Sequence, residues 1–193
     1  MNSIEATSAV IDALETCRIE YMLVGAFSAN AYGVGRSTKD ADFVADISSE
    51  KIHKLMRHLG PDFRLDPQMQ LEAFTGSMRN VITYLPTDFQ IELFRLNAND
   101  EHHVERFRRR QLVRLGEIDR EVWLPTAEDV VIQKLRWQRR KDLDDVVNIL
   151  AVSGRRLDWE YLTSWTTRHG TAALLQELFE SIPNLEGLDE PEP

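Results

Sequence analysis

A glycine that ends a short apolar run, followed by a strand that opens on two aspartates, limits what this chain can fold into. Residues 21–24 form a continuous apolar run that stops at Gly25, which predicts a buried strand leading into a turn. The small residues at 26–32 predict a short helix, closed by Gly33 and Gly35. Residues 40–47 largely alternate between polar and apolar side chains from Asp40 onward, as a strand does. A strand, a helix and a second strand in this order indicate an α/β fold.

The rest of the chain divides into a part rich in predicted strands and a helical part. Helices are predicted at 4–17 and at 48–59, where Ser48 or Ser49 can cap the first turn. Strands are predicted at 80–85, 89–96, 111–115 and 120–124. From Thr126, which starts a capping-box pattern, helices follow, the next ones from about residue 143, at 159–168 and at 172–181. We expect an α/β core at 1–124, a helical annex at 125–182 and a disordered acidic tail at 183–193.

Composition and charge exclude several classes of protein. Hydrophobic residues make up 42% of the 193 positions, which is enough for a sizeable core. The formal net charge of −9 argues against broad, non-specific binding to nucleic acid. Cys17 is the single cysteine, so no internal disulfide can form and a reducing cytoplasmic location is expected. We expect no signal peptide and no membrane partner, since no apolar run approaches the roughly 20 residues that span a bilayer.

Three carboxylates have the pattern of a divalent-metal site. Asp40 and Asp42 are two residues apart on the predicted strand, so their side chains point to the same side. Glu92 interrupts the apolar run of a later strand, where an acid is costly without a partner or a metal. Magnesium prefers oxygen ligands, and two or three carboxylates suffice to hold it. Because Gly25 lets a phosphate approach the backbone closely, the set predicts a site for a nucleoside triphosphate and its magnesium.

Each of these residues also has a simpler interpretation. Two aspartates on a strand are usually a solvated strand end, and Glu92 alone fits the polar face of a half-exposed strand. Gly25 alone fits an ordinary turn between a strand and a helix. The combination of a glycine turn, a short helix, an acidic strand and a later strand with a carboxylate favours the metal site.

Residues 23–43 resemble the signature of the polymerase-beta-like nucleotidyltransferase superfamily. Within it, the sequence is most similar to bacterial AbiEii-like proteins, the toxin halves of abortive-infection or toxin–antitoxin pairs. The family's Arg-x-Thr-x-Asp-x-Asp stretch and its third acid, usually Asp, are matched by Arg36, Thr38, Asp40, Asp42 and Glu92. The family's lysine and the Arg…Asp…Asp start of a helix are matched by Lys134, Arg139, Asp142 and Asp145. The resemblance spans roughly residues 21–150.

The resemblance implies a nucleotidyltransferase fold, with a mixed sheet flanked by helices and a C-terminal helical annex. It implies magnesium-dependent transfer of a nucleoside monophosphate from an NTP to a hydroxyl, with release of pyrophosphate. Asp40, Asp42 and Glu92 would be the catalytic residues and would hold two magnesium ions. The residues expected to contact the nucleotide are Gly25, Ala26, Ser28, Arg36, Thr38, Lys39 and Lys134.

Two positions depart from the family's pattern. Ala26 stands where the superfamily often has Gly or Ser, and Ser28 is the nearby hydroxyl that could replace the missing one. Glu92 is longer by one methylene than the usual Asp. These departures favour an alternative in which the same fold binds a nucleotide or a partner without turnover.

The acceptor and the partners are left open. RNA such as tRNA, a protein side chain and a small molecule are all candidate acceptors, and a cognate antitoxin is implied by the resemblance alone. The acidic chain would suit a cationic substrate, as in an aminoglycoside-type adenylyltransferase. A basic run suits RNA or is a solvated face, and it comprises Arg106, Arg108, Arg109, Arg110 and Arg114. The adjacent His102 and His103 cannot share a helix face, so they make a poor metal pair.

Overall fold

In a computed structural model, which describes residues 1–72 and 77–183, a mixed sheet forms the centre of the fold. Its strands are β1 (Tyr21–Leu23), β2 (Asp40–Ala45), β3 (Phe63–Leu65), β4 (Gln70–Glu72), β5 (Ser77–Tyr84) and β6 (Phe89–Arg95). The order across the sheet is β1-β2-β6-β5-β3, and β4 also pairs with β5. Only the pairing of β2 with β6 is parallel among these described strands. The sheet is therefore mixed, as the resemblance implies.

Helices flank this sheet, and a separate hairpin packs beside it. The helices are α1 (Ser3–Thr16), α2 (Gly25–Tyr32), α3 (Ser49–Leu59), α4 (Glu101–Arg108), α5 (Ala127–Trp137), α6 (Arg140–Ser153), α7 (Trp159–Arg168) and α8 (Ala172–Glu180). The hairpin consists of β7 (Gln111–Leu115) and β8 (Arg120–Leu124). Among the described helices, none combines the length and the apolarity of a bilayer-spanning segment.

Short polar residues set where several helices begin. The side chains of Ser48 and Thr126 accept hydrogen bonds from backbone N–H groups in the first turns of α3 and α5, as the sequence predicts. Asp100 caps α4 in the same way. Periodicity does not predict α4, because its only apolar residues are Val104 and Phe107 and its buried face is largely polar. The short strands β3 and β4 likewise carry too few residues to give a pattern.

The two larger hydrophobic clusters among the described residues stabilise the fold. The larger one includes Leu14, Phe43 and Ile91, and it packs α1 and α3 against the sheet. The other packs α5 to α8 against one another around residues such as Val131 and Ile149. Each fully buried side chain of this size contributes about 1.5–3 kcal/mol. The proposed boundary at residue 124 stays a prediction, and residues 184–193 of the predicted tail lie outside the described residues.

Candidate active site

The three predicted carboxylates meet on one face of the sheet. In the parallel pairing of β2 with β6, Asp42 lies opposite Glu92. Asp40 lies two residues before Asp42 and therefore on the same face. One carboxylate oxygen from each of the three residues lies within 4.8 Å of the other two. Since each ligand reaches about 2 Å to a magnesium ion, this spacing allows the three to share an ion.

Gly25 lets the start of α2 approach these carboxylates. Its φ of 64° lies in the left-handed region that favours glycine. A Cβ atom at this position would lie 2.1 Å from Oδ2 of Asp42. The first N–H groups of a helix have no partner inside the helix, and here they begin beside an acid that could hold a metal. The close approach, more than the turn alone, therefore requires glycine.

We expect Gly25→Ala to weaken divalent-metal binding about tenfold or more, because the new methyl group displaces the Asp42 carboxylate. Titration with Mn²⁺, followed by electron paramagnetic resonance, measures the affinity. Gly60→Ala is the matched control, because Gly60 has a φ of 83° but its Cβ would meet nothing within 4 Å. Equal affinity in Gly25→Ala and the wild type would mean that the Asp42 carboxylate is not a ligand.

Two neighbouring side chains orient the carboxylates. Oγ1 of Thr38 donates to Oδ1 of Asp40 at 2.7 Å. Nη1 of Arg79, a residue that the sequence pattern does not single out, donates to Oε2 of Glu92 at 2.5 Å. Burial and the charges of Asp40 and Glu92 raise the pKa of Asp42 to about 7. Burial also raises the pKa of Glu92, although Arg79 opposes that change. The carboxylates therefore repel one another, and a bound cation would relieve the repulsion.

Metal binding should weaken as the pH falls below about 7. The Asp42 carboxyl group must lose its proton to act as a ligand, and its pKa is raised to about 7. Below that pH the proton competes with the ion, so the apparent Mn²⁺ affinity should fall about tenfold per pH unit. Calorimetric titrations at pH 5.5, 6.5 and 7.5 measure the change. An affinity that stays constant over this range would contradict the prediction.

The three carboxylates line a cavity of about 340 Å³. Val44 and Phe94 continue the same face, since each lies two residues beyond one of the acids. Residues around α4 and α5 supply much of the remaining lining, which includes Asn97, Asp100, His103, Arg106, Gln133, Arg136, Trp137, Arg139 and Lys141. A cavity of this volume is typical of a small-molecule site.

The lining of this cavity, as far as the described residues define it, includes none of the residues predicted to contact the nucleotide: Gly25, Ala26, Ser28, Arg36, Thr38, Lys39 and Lys134. Ser28 is buried, and its hydroxyl donates to the carbonyl of Gly25 at 3.1 Å. Ala26 is buried in the first turn of α2, and Lys39 is exposed just before β2. The Ser28 hydroxyl is thus used within its own helix, and the nucleotide contacts of these residues stay predictions.

Arg36 and Lys134 lie in a buried ion-pair network. Nε and Nη2 of Arg36 donate to the two carboxylate oxygens of Asp145, at 2.8 and 2.9 Å. Nζ of Lys134 lies 2.7 Å from Oδ2 of Asp145 and 3.3 Å from Oδ1 of Asp142, which also pairs with Arg139. Although burial alone would raise the pKa of Asp145, the bonds from Arg36 and Lys134 lower it. The network joins the loop before β2 to α5 and α6, and a contact between Lys134 and a triphosphate stays a prediction.

The basic run between residues 106 and 114 does not form a single surface. Its members point to separate acids: Arg108 pairs with Glu105, Arg110 with Glu20, and Arg114 with Asp119. Arg106 is buried and lines the cavity. The two histidines also diverge, since His102 is buried against Asp129 and His103 lines the cavity. They therefore share no metal ion.

The sequence matches a known protein family, and the fold matches that of solved structures. Residues 4–180 match a family described as a nucleotidyltransferase of unknown function (DUF6036). No curated protein matches the sequence.

Two solved structures share the fold at low sequence identity. The structure of ANT(2″)-Ia in complex with adenylyl-2″-tobramycin aligns with a TM-score of 0.59 and 11% identity, over 90% of this chain and 99% of that one. An antigenic nucleotidyltransferase-like protein from Paracoccidioides brasiliensis aligns with a TM-score of 0.55 and 15% identity, over 91% and 92% of the two chains. Similarity at these identities concerns the fold alone.

Proposed function

The chain belongs to the DUF6036 family of nucleotidyltransferases, and on that premise we propose that it transfers a nucleoside monophosphate from an NTP to a hydroxyl in a magnesium-dependent reaction. The observation that supports this most directly is the set of three carboxylate oxygens within 4.8 Å of one another, beside Gly25, where a Cβ atom would collide with Asp42. Few other arrangements of side chains would place so much negative charge at one point beside free backbone N–H groups.

The residues present fit a divalent ion. Asp40, Asp42 and Glu92 offer only oxygen ligands, as magnesium prefers, and their mutual repulsion favours a cation. Magnesium, when bound, supplies positive charge that neutralises the phosphates. The N–H groups that follow Gly25, including that of Ala26, would receive the terminal phosphates at the start of α2.

The proposed reaction assigns the chain's own groups to positioning and proton transfer. A hydroxyl of the acceptor attacks the α-phosphorus, a new oxygen–phosphorus bond forms, and the bond to the pyrophosphate oxygen breaks. Glu92 accepts the hydroxyl proton, and Arg79 holds its carboxylate in place. Arg139 and Lys141, which line the cavity with the acids, face the phosphate charge.

The charge of the cavity favours a neutral or anionic acceptor over a polycationic one. Its described lining contains carboxylates and permanent cations in equal number: Asp40, Asp42, Glu72, Glu92 and Asp100 against Arg79, Arg106, Arg136, Arg139 and Lys141. Bound magnesium would make the balance positive, and a triphosphate would then restore it. An aminoglycoside would add further positive charge, so this acceptor class is the less favoured alternative.

The resemblance to AbiEii-like proteins extends the proposal to a toxin whose acceptor is an RNA or a protein and whose partner is a cognate antitoxin. No contact in the described residues identifies either partner, so this extension rests on the residues that match the family's signature: Arg36, Thr38, Asp40, Asp42 and Lys134. The second candidate function is a binding module that holds the nucleotide without turnover. The longer third acid, Glu92, is the feature that favours it.

Incubation with each labelled NTP, magnesium and a cell extract tests the proposal. The expected result is label transferred to one acceptor, with no transfer when EDTA removes the metal. Measurable NTP binding without any labelled product would support the binding module instead. Absence of both NTP binding and product for all four NTPs would contradict both functions.

A further inference from the structure

A buried arginine in the cavity has no hydrogen-bonding partner within residues 1–72 and 77–183. Arg106 of α4 is 4% exposed and lines the cavity. Its Nε atom is buried without a partner, and its guanidinium takes part in none of the hydrogen bonds or ion pairs found among the described residues. Burial lowers the pKa of Arg106 to about 10, so the group is still cationic at neutral pH. A buried cation without a partner is costly to the fold, and a bound anion would remove that cost.

The two acids whose charges reach Arg106 are already paired with other groups. Asp100 caps α4 and lies 2.9 Å from Nη1 of Arg136. Oδ1 of Asp129 lies 3.1 Å from Nε2 of His102 and accepts a hydrogen bond from another side chain, the hydroxyl of Tyr161. Among the described residues, neither carboxylate forms an ion pair with Arg106, so the guanidinium lines the cavity without a paired anion.

Two other polar side chains that line the cavity, those of His103 and Gln133, can donate hydrogen bonds. Nδ1 of His103 accepts from the backbone N–H of Asn97 at 2.9 Å, so the neutral ring carries its proton on Nε2. Burial and the charge of Arg106 lower the pKa of His103 to about 3, which keeps the ring neutral. The amide of Gln133 lines the same cavity. A fixed cation and N–H donors that line one cavity match a phosphate or a carboxylate.

We propose that Arg106 binds a phosphate or carboxylate group of the acceptor, in a subsite separate from the one that holds the triphosphate. The inference rests on the proposed function, because it assigns a second part of the same cavity. Phe107, next to Arg106, packs with Val44 and Phe94, which lie two residues beyond the acids. These positions lie roughly 7 Å along the strands from the acids, so we assign Arg106 to a different part of the cavity from the metal site. The nucleoside part of an NTP is neutral, so the acceptor supplies the anion.

Inorganic phosphate is the probe, and EDTA is present so that the metal site does not contribute. Phosphate affinity is measured from the rise in unfolding temperature with phosphate concentration. We expect Arg106→Gln to weaken this affinity about 10- to 100-fold, since a charge-assisted hydrogen-bonded contact is lost. Arg108→Gln is the matched control, because it removes the same charge from the same helix at a side chain that is 72% exposed. Equal phosphate affinity in Arg106→Gln and Arg108→Gln would overturn the proposal.

The stability of the ligand-free variant separates a binding role from a structural one. Because Arg106 is buried without a partner in the part of the chain that the structure describes, Arg106→Gln should unfold at the wild-type temperature or above it when phosphate is absent. A fall of about 4 °C or more would mean that the guanidinium stabilises the fold and would overturn the proposal. Arg106→Lys, which keeps the charge, should recover part of the phosphate response.

A nucleotide titration identifies the source of the anion. The affinity for a non-hydrolysable α,β-methylene NTP with magnesium should be the same in Arg106→Gln as in the wild type. A loss of about tenfold would place the triphosphate at Arg106 and overturn the acceptor assignment. The measurement of phosphate affinity requires neither metal nor turnover, so its result is independent of whether nucleotidyl transfer is found. Failure of the proposed function and failure of the subsite are therefore distinguishable.

Discussion

Asp42→Asn should lower nucleotidyl transfer about 100- to 1,000-fold and at the same time stabilise the metal-free fold. The loss of activity is expected because the substitution removes a charged ligand from the three-carboxylate set. The gain in stability is expected because the Asp42 carboxylate is crowded by Asp40 and Glu92 on the same sheet face. A variant that loses activity only because it misfolds cannot show both effects.

The raised pKa of Asp42 gives the stability effect its sign. The folded protein holds the Asp42 proton up to about pH 7, against an ordinary value of 3.8. The contribution of this carboxyl group to stability is therefore present below pH 3.8 and is lost as the pH rises to about 7. Asparagine does not ionise, so Asp42→Asn does not lose this stability as the pH rises. In EDTA at pH 8, its free energy of unfolding should exceed that of the wild type by about 1–2 kcal/mol.

Urea unfolding in EDTA at pH 5 and pH 8, together with the labelled-NTP assay, measures both effects. Asp46→Asn is the matched control, because Asp46 follows the same strand but its side chain is 62% exposed and pairs with Lys51. This variant should keep both activity and stability close to the wild-type values. Retained transfer in Asp42→Asn, or a lower stability than the wild type at pH 8, would contradict the site as described.

Lys134→Met should destabilise the protein by about 3 kcal/mol, because it leaves two buried carboxylates with fewer partners. The side chain of Lys134 is 3% exposed, and those of Asp142 and Asp145 are 1% and 2% exposed. In Lys134→Met, Asp145 keeps its two hydrogen bonds from Arg36, and Asp142 keeps its ion pair with Arg139. The expected loss of stability therefore lies near the lower end of the range for a broken buried ion pair. Urea unfolding at pH 7.5 measures the change.

The control for this variant is Lys51→Met, which breaks an ion pair of 3.6 Å between exposed side chains. Such pairs contribute at most about 1 kcal/mol, so this variant should unfold almost as the wild type does. Nucleotide affinity distinguishes the network role from the contact that the resemblance implies. If Lys134→Met leaves stability unchanged but weakens NTP binding, Lys134 contacts the triphosphate, and its pairing with Asp142 and Asp145 contributes little.

Local patterns in the sequence were sufficient to predict where several helices begin and which residues share a strand face. The cap residues Ser48 and Thr126 begin helices where the sequence predicts them, because a cap bonds to N–H groups two or three residues away. The two-residue period of a strand places Asp40 and Asp42 on one face for the same local reason. By contrast, the sequence pattern does not predict α4, because a helix that buries His103 and Arg106 has no apolar stripe.

What the sequence alone determined is therefore local: the alternation of β2, the turn at Gly25 and the acids that a metal could use. Only the tertiary structure decided that Asp42 lies opposite Glu92, that Arg79 holds Glu92, and that Lys134 meets Asp145. The register between strands and the packing of α4 over the cavity depend on contacts between segments that are far apart in the chain. The periodicity of side chains along a helix or a strand relates residues that are only a few positions apart, so it cannot specify those contacts.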